Sequence, residues 1–296
     1  MSRMCNEPSG ARHTWMMSAL FVCLLATSTS SAETARFPDH WIDGTTPSEP
    51  AFQVHSFSKG TWIARQSLSS HFEAPFLFVL EGEREALLLD TGAPADVSVR
   101  EMVDGLIGDL PLVVTHTHAH GDHVAGDSQF LGRPNTRIVG HSSQEVASFF
   151  GIDSWPTGLA VFDLGERELT VIPIPGHEPS SIAIFDAMTG LLLTGDTFYP
   201  GRLYVSDADE YRASIDRLVR FTGNREIAWI LGTHIEMSRQ PGVDFPPGAP
   251  QHPNERELQL TRDHLLELQA SLESMPGRME RAVRDHFIVV PIQRAE

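Results

Sequence analysis

Thr117-His118-Ala119-His120-Gly121-Asp122-His123 is the stretch of the sequence that decides the fold. It comes directly after an apolar segment, residues 112–114, which is typical of a buried strand. The three histidines and the aspartate therefore lie on a turn at a strand end, where their side chains can converge on one point. Imidazole nitrogens suit zinc and similar ions, and a carboxylate adds a hard oxygen ligand. A surface histidine tract without a metal is disfavoured, because glycine and aspartate interrupt the cluster beside a buried strand.

Short apolar segments alternate with helical patterns between residues 52 and 231, and this order predicts a layered α/β domain. Strands are predicted at residues 75–80, 86–90, 112–115, 136–140, 169–174, 182–186, 191–194 and 227–231. Helices are predicted at residues 95–107, 122–130, 142–150 and 207–221. No internal repeat interrupts this pattern.

The sequence changes character after His234. Residues 240–253 are rich in proline and glycine and are expected to form a loop that makes one wall of a pocket. Asn254 followed by Glu257 predicts a helix start. The apolar face of that helix, which indicates packing against the main domain, consists of Leu258, Leu265, Leu268 and Leu272. We predict a single domain over residues 33–296, with this helical extension beginning at about residue 240.

Five motifs occur in an order that resembles the metallo-β-lactamase superfamily. The first is the His-x-His-x-Asp-His segment at residues 118–123. The others are Leu88-Leu89-Asp90-Thr91-Gly92, Pro175-Gly176-His177, Thr194-Gly195-Asp196-Thr197 and Gly232-Thr233-His234. The resemblance covers about residues 52–234. It implies the four-layer αββα sandwich of that superfamily, with metal ions held between the sheets.

The resemblance also implies a binuclear metal site. The expected ligands are His118, His120 and His177 for one ion, and Asp122, His123 and His234 for the other, with Asp196 bridging the pair. Two divalent ions are expected, with zinc first and iron or manganese as alternatives. Asp122 is the implied catalytic residue as well, because it would orient a metal-bridging hydroxide and carry a proton toward the leaving group.

Several residues outside the ligand set are weaker candidates. Asp90 has either an orienting role beside a ligand or a structural role in its turn. His116 is either a functional residue on the same strand face as His118 or a packed or hydrogen-bonded histidine, and His141 is interpreted as structural or exposed. Three residues that follow the fourth motif either reach the pocket rim or pack in the core or on the surface; they are Tyr199, Arg202 and Tyr204. At the rim, a tyrosine could donate to a developing oxyanion.

The ligand set narrows the expected chemistry. An aspartate at position 196 in an all-His/Asp set is similar to glyoxalase II-type thioesterases and lactonases, which favours hydrolysis of an ester-like carbonyl bond in a small molecule. β-Lactamase-type amide hydrolysis is the enzymatic alternative, and a non-catalytic metal-binding protein is the alternative from another class. The net charge of -17 disfavours a nucleic-acid partner, because phosphate binding requires clustered lysine and arginine.

Residues 1–32 have the layout of a secretory signal peptide. Basic residues precede an apolar run over residues 15–26, and the small residue Ala32 marks the expected cleavage site. The run is shorter than the roughly 20 residues that a membrane-spanning helix needs. We therefore predict a periplasmic or secreted protein without stable membrane association after cleavage. Cys5 and Cys23 both lie in this segment, so the mature chain is expected to have no disulfide and no thiolate ligand.

Overall fold

Two six-stranded sheets and a small third sheet make up the β-structure of residues 37–292. A computed structural model describes residues 37–292. The strands are, in chain order, β1 (Phe52–Ser58), β2 (Thr61–Gln66), β3 (Phe76–Glu81), β4 (Ala86–Leu89), β5 (Leu112–Thr115), β6 (Thr136–Ile138), β7 (Ala160–Asp163), β8 (Glu168–Pro173), β9 (Ile182–Asp186), β10 (Leu191–Gly195), β11 (Arg202–Val205), β12 (Trp229–Gly232), β13 (Gln259–Leu260), β14 (Ala282–Val283) and β15 (Ile288–Pro291). The helices are α1 (Val99–Ile107), α2 (Gly121–Val124), α3 (Ser143–Phe150), α4 (Ala208–Thr222) and α5 (Arg262–Glu273), and a 3₁₀ helix spans Asp127–Phe130.

The strand order of each large sheet brings the predicted motifs to common edges. The first sheet has the order β1-β2-β3-β4-β5-β6, in which β5 runs parallel to β4 and to β6. The second has the order β13-β12-β10-β9-β8-β7, in which β10 and β12 are parallel. The third sheet has the order β11-β15-β14. The carboxyl ends of β4 and β5 therefore lie side by side, as do those of β10 and β12, and one of the five sequence motifs follows each of these four strands.

Alternate residues of the central strands face opposite sides of their sheet, as the pleat requires. In β3, Phe76 and Phe78 pack into the core between the two large sheets, whereas Leu77 and Val79 pack under α1. The outer face of the second sheet is covered in the same way by α4 and α5, whose buried residues include Ile215, Leu218, Leu265, Leu268 and Leu272. The layers are thus helix, sheet, sheet, helix, and the predicted αββα sandwich is confirmed.

A buried arginine joins the two large sheets at the edge away from the motifs. Arg167 has 1% of its surface exposed, and its Nη2 lies 2.6 Å from Oδ2 of Asp186 at the end of β9. The same guanidinium donates to the carbonyl oxygens of Gly60 and Glu81, which flank the hairpins of the first sheet, and to the hydroxyl of Thr61. Five donated hydrogen bonds therefore satisfy the charge without water.

Replacing Arg167 is expected to destabilise the fold strongly. In Arg167→Met the Asp186 carboxylate stays buried without its counter-charge, and breaking such a pair costs about 3–5 kcal/mol. Urea denaturation measures this loss of the free energy of unfolding. Arg84→Met is the control: its side chain is mostly exposed beside Asp163, and its removal should leave the stability nearly unchanged. If the two variants unfold at the same urea concentration, the buried pair of Arg167 and Asp186 does not hold the sheets together.

Two predicted helices differ from the structure. The helix expected over residues 122–130 is wrong as a continuous element, because the backbone N–H of Gly126 donates to the Thr91 hydroxyl instead of to a helical carbonyl. The helix expected to start at Asn254 begins only at Arg262, after the N-cap Thr261. The intervening residues are used by the sheet: Gln259–Leu260 forms β13 and pairs with β12. The prediction that leucines of this helix pack against the main domain is confirmed for α5.

The predicted signal peptide, residues 1–32, lies outside the described residues, and so do both cysteines. Within residues 37–292, no helix combines the length and the apolar content that a bilayer crossing requires. Export of the chain therefore stays a prediction from the sequence.

Candidate metal centre

The seven predicted ligands converge at one edge of the sandwich because each follows a strand end. His118, His120, Asp122 and His123 come directly after β5. His177 follows β8, Asp196 is the first residue after β10, and His234 is the second residue after β12. The structure thus gathers four separate chain segments into two neighbouring clusters of three and four residues.

The first cluster consists of three imidazoles. Nε2 of His118 lies 3.0 Å from Nδ1 of His120, and Nε2 of His177 lies 3.2 Å and 3.1 Å from these two nitrogens. A neutral imidazole has one donor nitrogen and one acceptor nitrogen, so three ring nitrogens cannot satisfy one another in a closed triangle. Zinc binds histidine nitrogens at about 2.0 Å in a tetrahedral arrangement, in which neighbouring ligand atoms are about 3.3 Å apart. The distances between the three ring nitrogens are close to this value. The donor set therefore fits a metal ion.

The second cluster combines two imidazoles with two carboxylates. Nε2 of His123 lies 3.3 Å from Oδ2 of Asp122, and Nε2 of His234 lies 3.4 Å from the same oxygen. Both Nε2 atoms are fully buried, and neither makes a hydrogen bond. Buried polar atoms without partners are rare in folded proteins and carry a cost. A cation among Asp122, His123, Asp196 and His234 removes that cost, so this donor set also fits a metal ion.

The carboxylate of Asp196 faces both clusters. Its Oδ1 lies 3.2 Å from Nε2 of His234 and 3.6 Å from Nε2 of His123. Its Oδ2 lies 3.9 Å from Nε2 of His118 and 3.7 Å from Nε2 of His177. One oxygen is thus directed at each set of ligands, which is the arrangement expected of a bridging carboxylate.

Hydrogen bonds behind the ligands fix which ring nitrogen faces the centre. Nδ1 of His177 donates to the carbonyl of Tyr204, and Nδ1 of His234 donates to the carbonyl of Glu73, both at 2.8 Å. These bonds leave each Nε2 as the free ligand atom. Nothing in the sequence could have identified Tyr204 or Glu73 for this role, because any residue offers a backbone carbonyl.

Asp90 and Thr117 support two of the ligands from the first sheet. Oδ2 of Asp90 lies 2.9 Å from Nδ1 of His123 and accepts from the Thr117 hydroxyl at the same distance. The hydroxyl has one proton, so it accepts at 3.1 Å from Nδ1–H of His118. Asp90 also accepts the Thr117 backbone N–H at 2.7 Å. Of the two roles considered for Asp90, the contacts favour the orienting one.

The two clusters differ in their electrostatics. Burial lowers the pKa of His118 and of His177, so both imidazoles are neutral at pH 7 and offer a lone pair. Burial acts in the same direction on His123 and His234, but the carboxylates around them outweigh it and raise both pKa values. The second cluster therefore holds an excess of negative charge, which a divalent ion there would compensate.

Removing the charge of Asp90 is expected to weaken metal binding without changing any ligand. Loss of a hydrogen-bond partner behind a ligand costs about 10–100-fold in metal affinity, and Asp90→Asn should fall in that range. Competition with a chromophoric chelator measures the dissociation constant. Asp109→Asn, at an exposed position, provides the control. Unchanged affinity in Asp90→Asn would assign Asp90 to the structure of its turn alone.

The candidate rim residues have different environments. Tyr199 is buried, and its hydroxyl lies 2.6 Å from the carbonyl of Arg202 and 3.0 Å from Oε2 of Glu236, so it does not face the pocket. Arg202 is paired with Glu236 and with Asp244, which compensates its charge. Tyr204 is half-buried, and its hydroxyl lies 3.0 Å from Nε of Arg202. The oxyanion role considered for a tyrosine is thus excluded for Tyr199 by its burial.

Two recesses are lined by residues that neighbour the candidate ligands in the sequence. One, of about 70 Å³, is lined by Arg202 and Tyr204 together with Phe72, Pro246, Pro247 and His252. The prediction that the proline-rich loop forms one wall of a pocket is confirmed here. The other, of about 230 Å³, is lined by Trp155, Gly176, Ser206 and Asp207 among others.

Comparison with known proteins assigns the family. The sequence model of the metallo-beta-lactamase superfamily matches residues 73–272, which include all seven candidate ligands. The chain belongs to the metallo-beta-lactamase superfamily. Solved members share the fold: a metallo-beta-lactamase from Erythrobacter litoralis has a TM-score of 0.55 at 16% identity, covering 76% of this chain and 98% of that one. Another, from Pontibacter korlensis, has a TM-score of 0.53 at 17% identity, covering 75% and 99%.

Within this superfamily, the curated relatives are hydrolases. A hydroxyacylglutathione hydrolase from Anaeromyxobacter dehalogenans is 31% identical over 124 residues, which are 42% of this chain and 46% of that protein. The acyl-coenzyme A thioesterase MBLAC2 from Gallus gallus is 25% identical over 224 residues, covering 60% of this chain and 77% of that protein. The chain spans about half the length of the hydroxyacylglutathione hydrolases that it matches. The resemblance inferred from the sequence is confirmed at the level of the superfamily.

Proposed function

We propose that the chain is an exported, binuclear metal-dependent hydrolase that cleaves an ester-like carbonyl bond, in a thioester or a lactone. The observation that carries the proposal is the Asp196 carboxylate, which directs one oxygen to each of two clusters with complementary ligands. The names of two relatives support the substrate class, since acyl-glutathione and acyl-coenzyme A are both acyl thioesters. The expected ions are two zinc ions, with iron or manganese as alternatives.

The metal ions, Asp122 and Asp196 have different roles in the proposed hydrolysis. When bound, the ions supply Lewis acidity that polarises the substrate carbonyl and makes water nucleophilic near neutral pH. Asp122 is the carboxylate that can serve the reacting water, because 18% of its side chain is exposed, against 10% for Asp196. It orients the water by accepting a hydrogen bond and then carries the proton toward the leaving sulfur or oxygen. Asp196 has the Thr233 hydroxyl as a donor, which holds its carboxylate in place between the clusters.

A substrate panel tests the reaction class. The zinc-loaded protein is assayed with a simple acyl thioester, a lactone and a β-lactam, with Asp122→Ala as the matched inactive control. Turnover of the thioester or the lactone that Asp122→Ala abolishes supports the proposal. Preferential turnover of the β-lactam would overturn it in favour of amide hydrolysis. Failure to turn over any of the three while zinc is bound would indicate a metal-binding protein without catalysis.

Export is a separate part of the proposal. The layout of residues 1–32 supports removal of that segment and release into the periplasm or the medium, with residues 33–296 as one domain. Expression of the full chain in a bacterial host, followed by fractionation and N-terminal sequencing, tests it. We expect the exported form to begin at Glu33. Recovery of an uncleaved chain in the cytoplasm would contradict this part without bearing on the metal centre.

A further inference from the structure

A third group of metal-ligating side chains lies outside the seven ligands of the candidate centre. It consists of His116, Asp127 and His141, each of which offers one ligand atom within 4.8 Å of the others. Nε2 of His116 lies 2.8 Å from Oδ1 of Asp127, and Nε2 of His141 lies 2.8 Å from Oδ2 of the same carboxylate. None of the three takes part in the reaction proposed above.

The three residues come from separate segments, and the exposed fraction of their side chains increases from His116 through Asp127 to His141. His116 directly follows β5, Asp127 begins the 3₁₀ helix, and His141 lies in the loop before α3. The side chains of His116, Asp127 and His141 are 4%, 19% and 44% exposed. An ion in this group would cross-link the three segments, and the open side leaves an entry path and room for water to complete its coordination.

The rings of His116 and His141 have nearly the same relative orientation as the ring pairs of the three-histidine cluster. The rings of His116 and His141 have centroids 4.9 Å apart and planes at 85°. In the first cluster, the rings of His118 and His177 are 4.7 Å apart at 88°, and those of His120 and His177 are 4.8 Å apart at 79°. The rings of His116 and His141 are therefore arranged edge to face, as the two ring pairs of the three-histidine cluster are, and are not stacked.

The carboxylate of this group is held in position by its neighbours. The Thr91 hydroxyl donates to Oδ1 of Asp127 at 2.8 Å, and it accepts the backbone N–H of Gly126 at 3.2 Å. Outer hydrogen bonds of this kind orient metal ligands in proteins. The orientation of Asp127 therefore does not depend on the two histidines alone.

We propose that His116, Asp127 and His141 bind a third divalent transition-metal ion, with zinc as the expected occupant. Two imidazoles and one carboxylate form a ligand set that zinc uses with a water in its fourth position. The ion ties the end of β5 to the 3₁₀ helix and to the loop before α3, so its role is to stabilise the segment that carries the main metal motif. The competing arrangement has no metal, and each imidazole then donates its Nε2–H to one oxygen of Asp127.

Zinc stoichiometry distinguishes the two arrangements. The purified protein is stripped of metal and dialysed against buffered Zn²⁺, and the metal content per chain is measured by elemental analysis. We expect His141→Ala to bind one equivalent less than the unchanged protein. The affinity at this site should fall by at least about 100-fold, since even partners behind a ligand cost 10–100-fold. His40→Ala, which removes an exposed histidine elsewhere, serves as the matched control and should match the unchanged protein.

Three further measurements test whether the lost zinc equivalent belongs to this site. Asp127→Asn keeps the shape of the side chain and removes its charge, so it should lose the same equivalent. Titration with Co²⁺ should show a separate absorption change for this site, absent in both variants. Hydrolytic activity should persist in His141→Ala, because none of the seven ligands of the main centre is altered. Equal zinc content in the unchanged protein and both variants would overturn the proposal and assign the group to hydrogen bonding alone.

Discussion

The Asp196→Ala variant is expected to lose activity by about 10³-fold or more in kcat/KM while it keeps its fold. Asp196 is the one residue among the described ligands whose two oxygens face both clusters, so its removal leaves the two sites without a shared ligand. Loss of a single preorganised electrostatic contact in an active site costs about 10²–10³-fold, and here the position of an ion is lost as well. Metal content should also fall relative to the unchanged protein.

Two variants separate charge from shape in this experiment. Asp196→Asn preserves the shape and removes the charge, and the same loss is expected because a bridge between two cations requires an anion. Asp153→Ala removes an exposed carboxylate far from the ligand motifs in sequence and should leave kcat/KM and metal content unchanged. Circular dichroism confirms that each variant is folded. Full activity in Asp196→Asn would rule out a bridging carboxylate as the basis of the reaction.

Removing the metal is expected to abolish activity and to lower the thermal stability. Without cations, Nε2 of His123 and of His234 stay buried without a hydrogen bond, and the first cluster keeps three mutually facing nitrogens. An ion present at 1,000 times its dissociation constant contributes about 4 kcal/mol to the free energy of unfolding. We therefore expect less than about 1% of the activity after treatment with a chelator, since the water activation that the ions supply is lost.

Re-addition of metal provides the control for this treatment. Activity and melting temperature should both return when zinc is restored, and they should not return when magnesium is added, because magnesium prefers oxygen ligands. Differential scanning calorimetry and a substrate assay on the same samples measure the two effects together. Retention of full activity in protein shown by elemental analysis to be metal-free would contradict a metal-dependent reaction.

Parts of the site could be predicted from the sequence because the information is local. Four ligands occur within residues 118–123, and the apolar strand before them places them at the edge of a sheet. The remaining ligands, His177, Asp196 and His234, were inferred from motifs that resemble a known superfamily. The structure gathers all seven. The strands of both large sheets that carry these motifs were predicted for the same reason, since each is a short apolar segment of its own.

Other features depended on contacts between distant parts of the chain. The amino acids from Asn254 to Leu260 are compatible with a helix, but pairing of Gln259–Leu260 with β12 takes precedence because it satisfies backbone groups at a sheet edge. Likewise, Tyr199 could have faced the pocket, and only its contact with the Arg202 carbonyl and Glu236 places it in the interior.

The sequence by itself determined the layered α/β class and the four candidate ligands of residues 118–123, because strand periodicity and a dense histidine motif are properties of neighbouring residues. The αββα arrangement and the other three ligands were implied by the resemblance of the ordered motifs to a known superfamily. The tertiary structure alone decided which ring nitrogens of His177 and His234 face the centre. The other nitrogen of each ring donates to the backbone carbonyl of Tyr204 or Glu73, and no residue type indicates such a contact in advance. It also decided that Asp127 lies between His116 and His141. The physical reason is the same in both cases: these partners are brought together by the packing of separate segments, and the spacing of residues along the chain does not encode that packing.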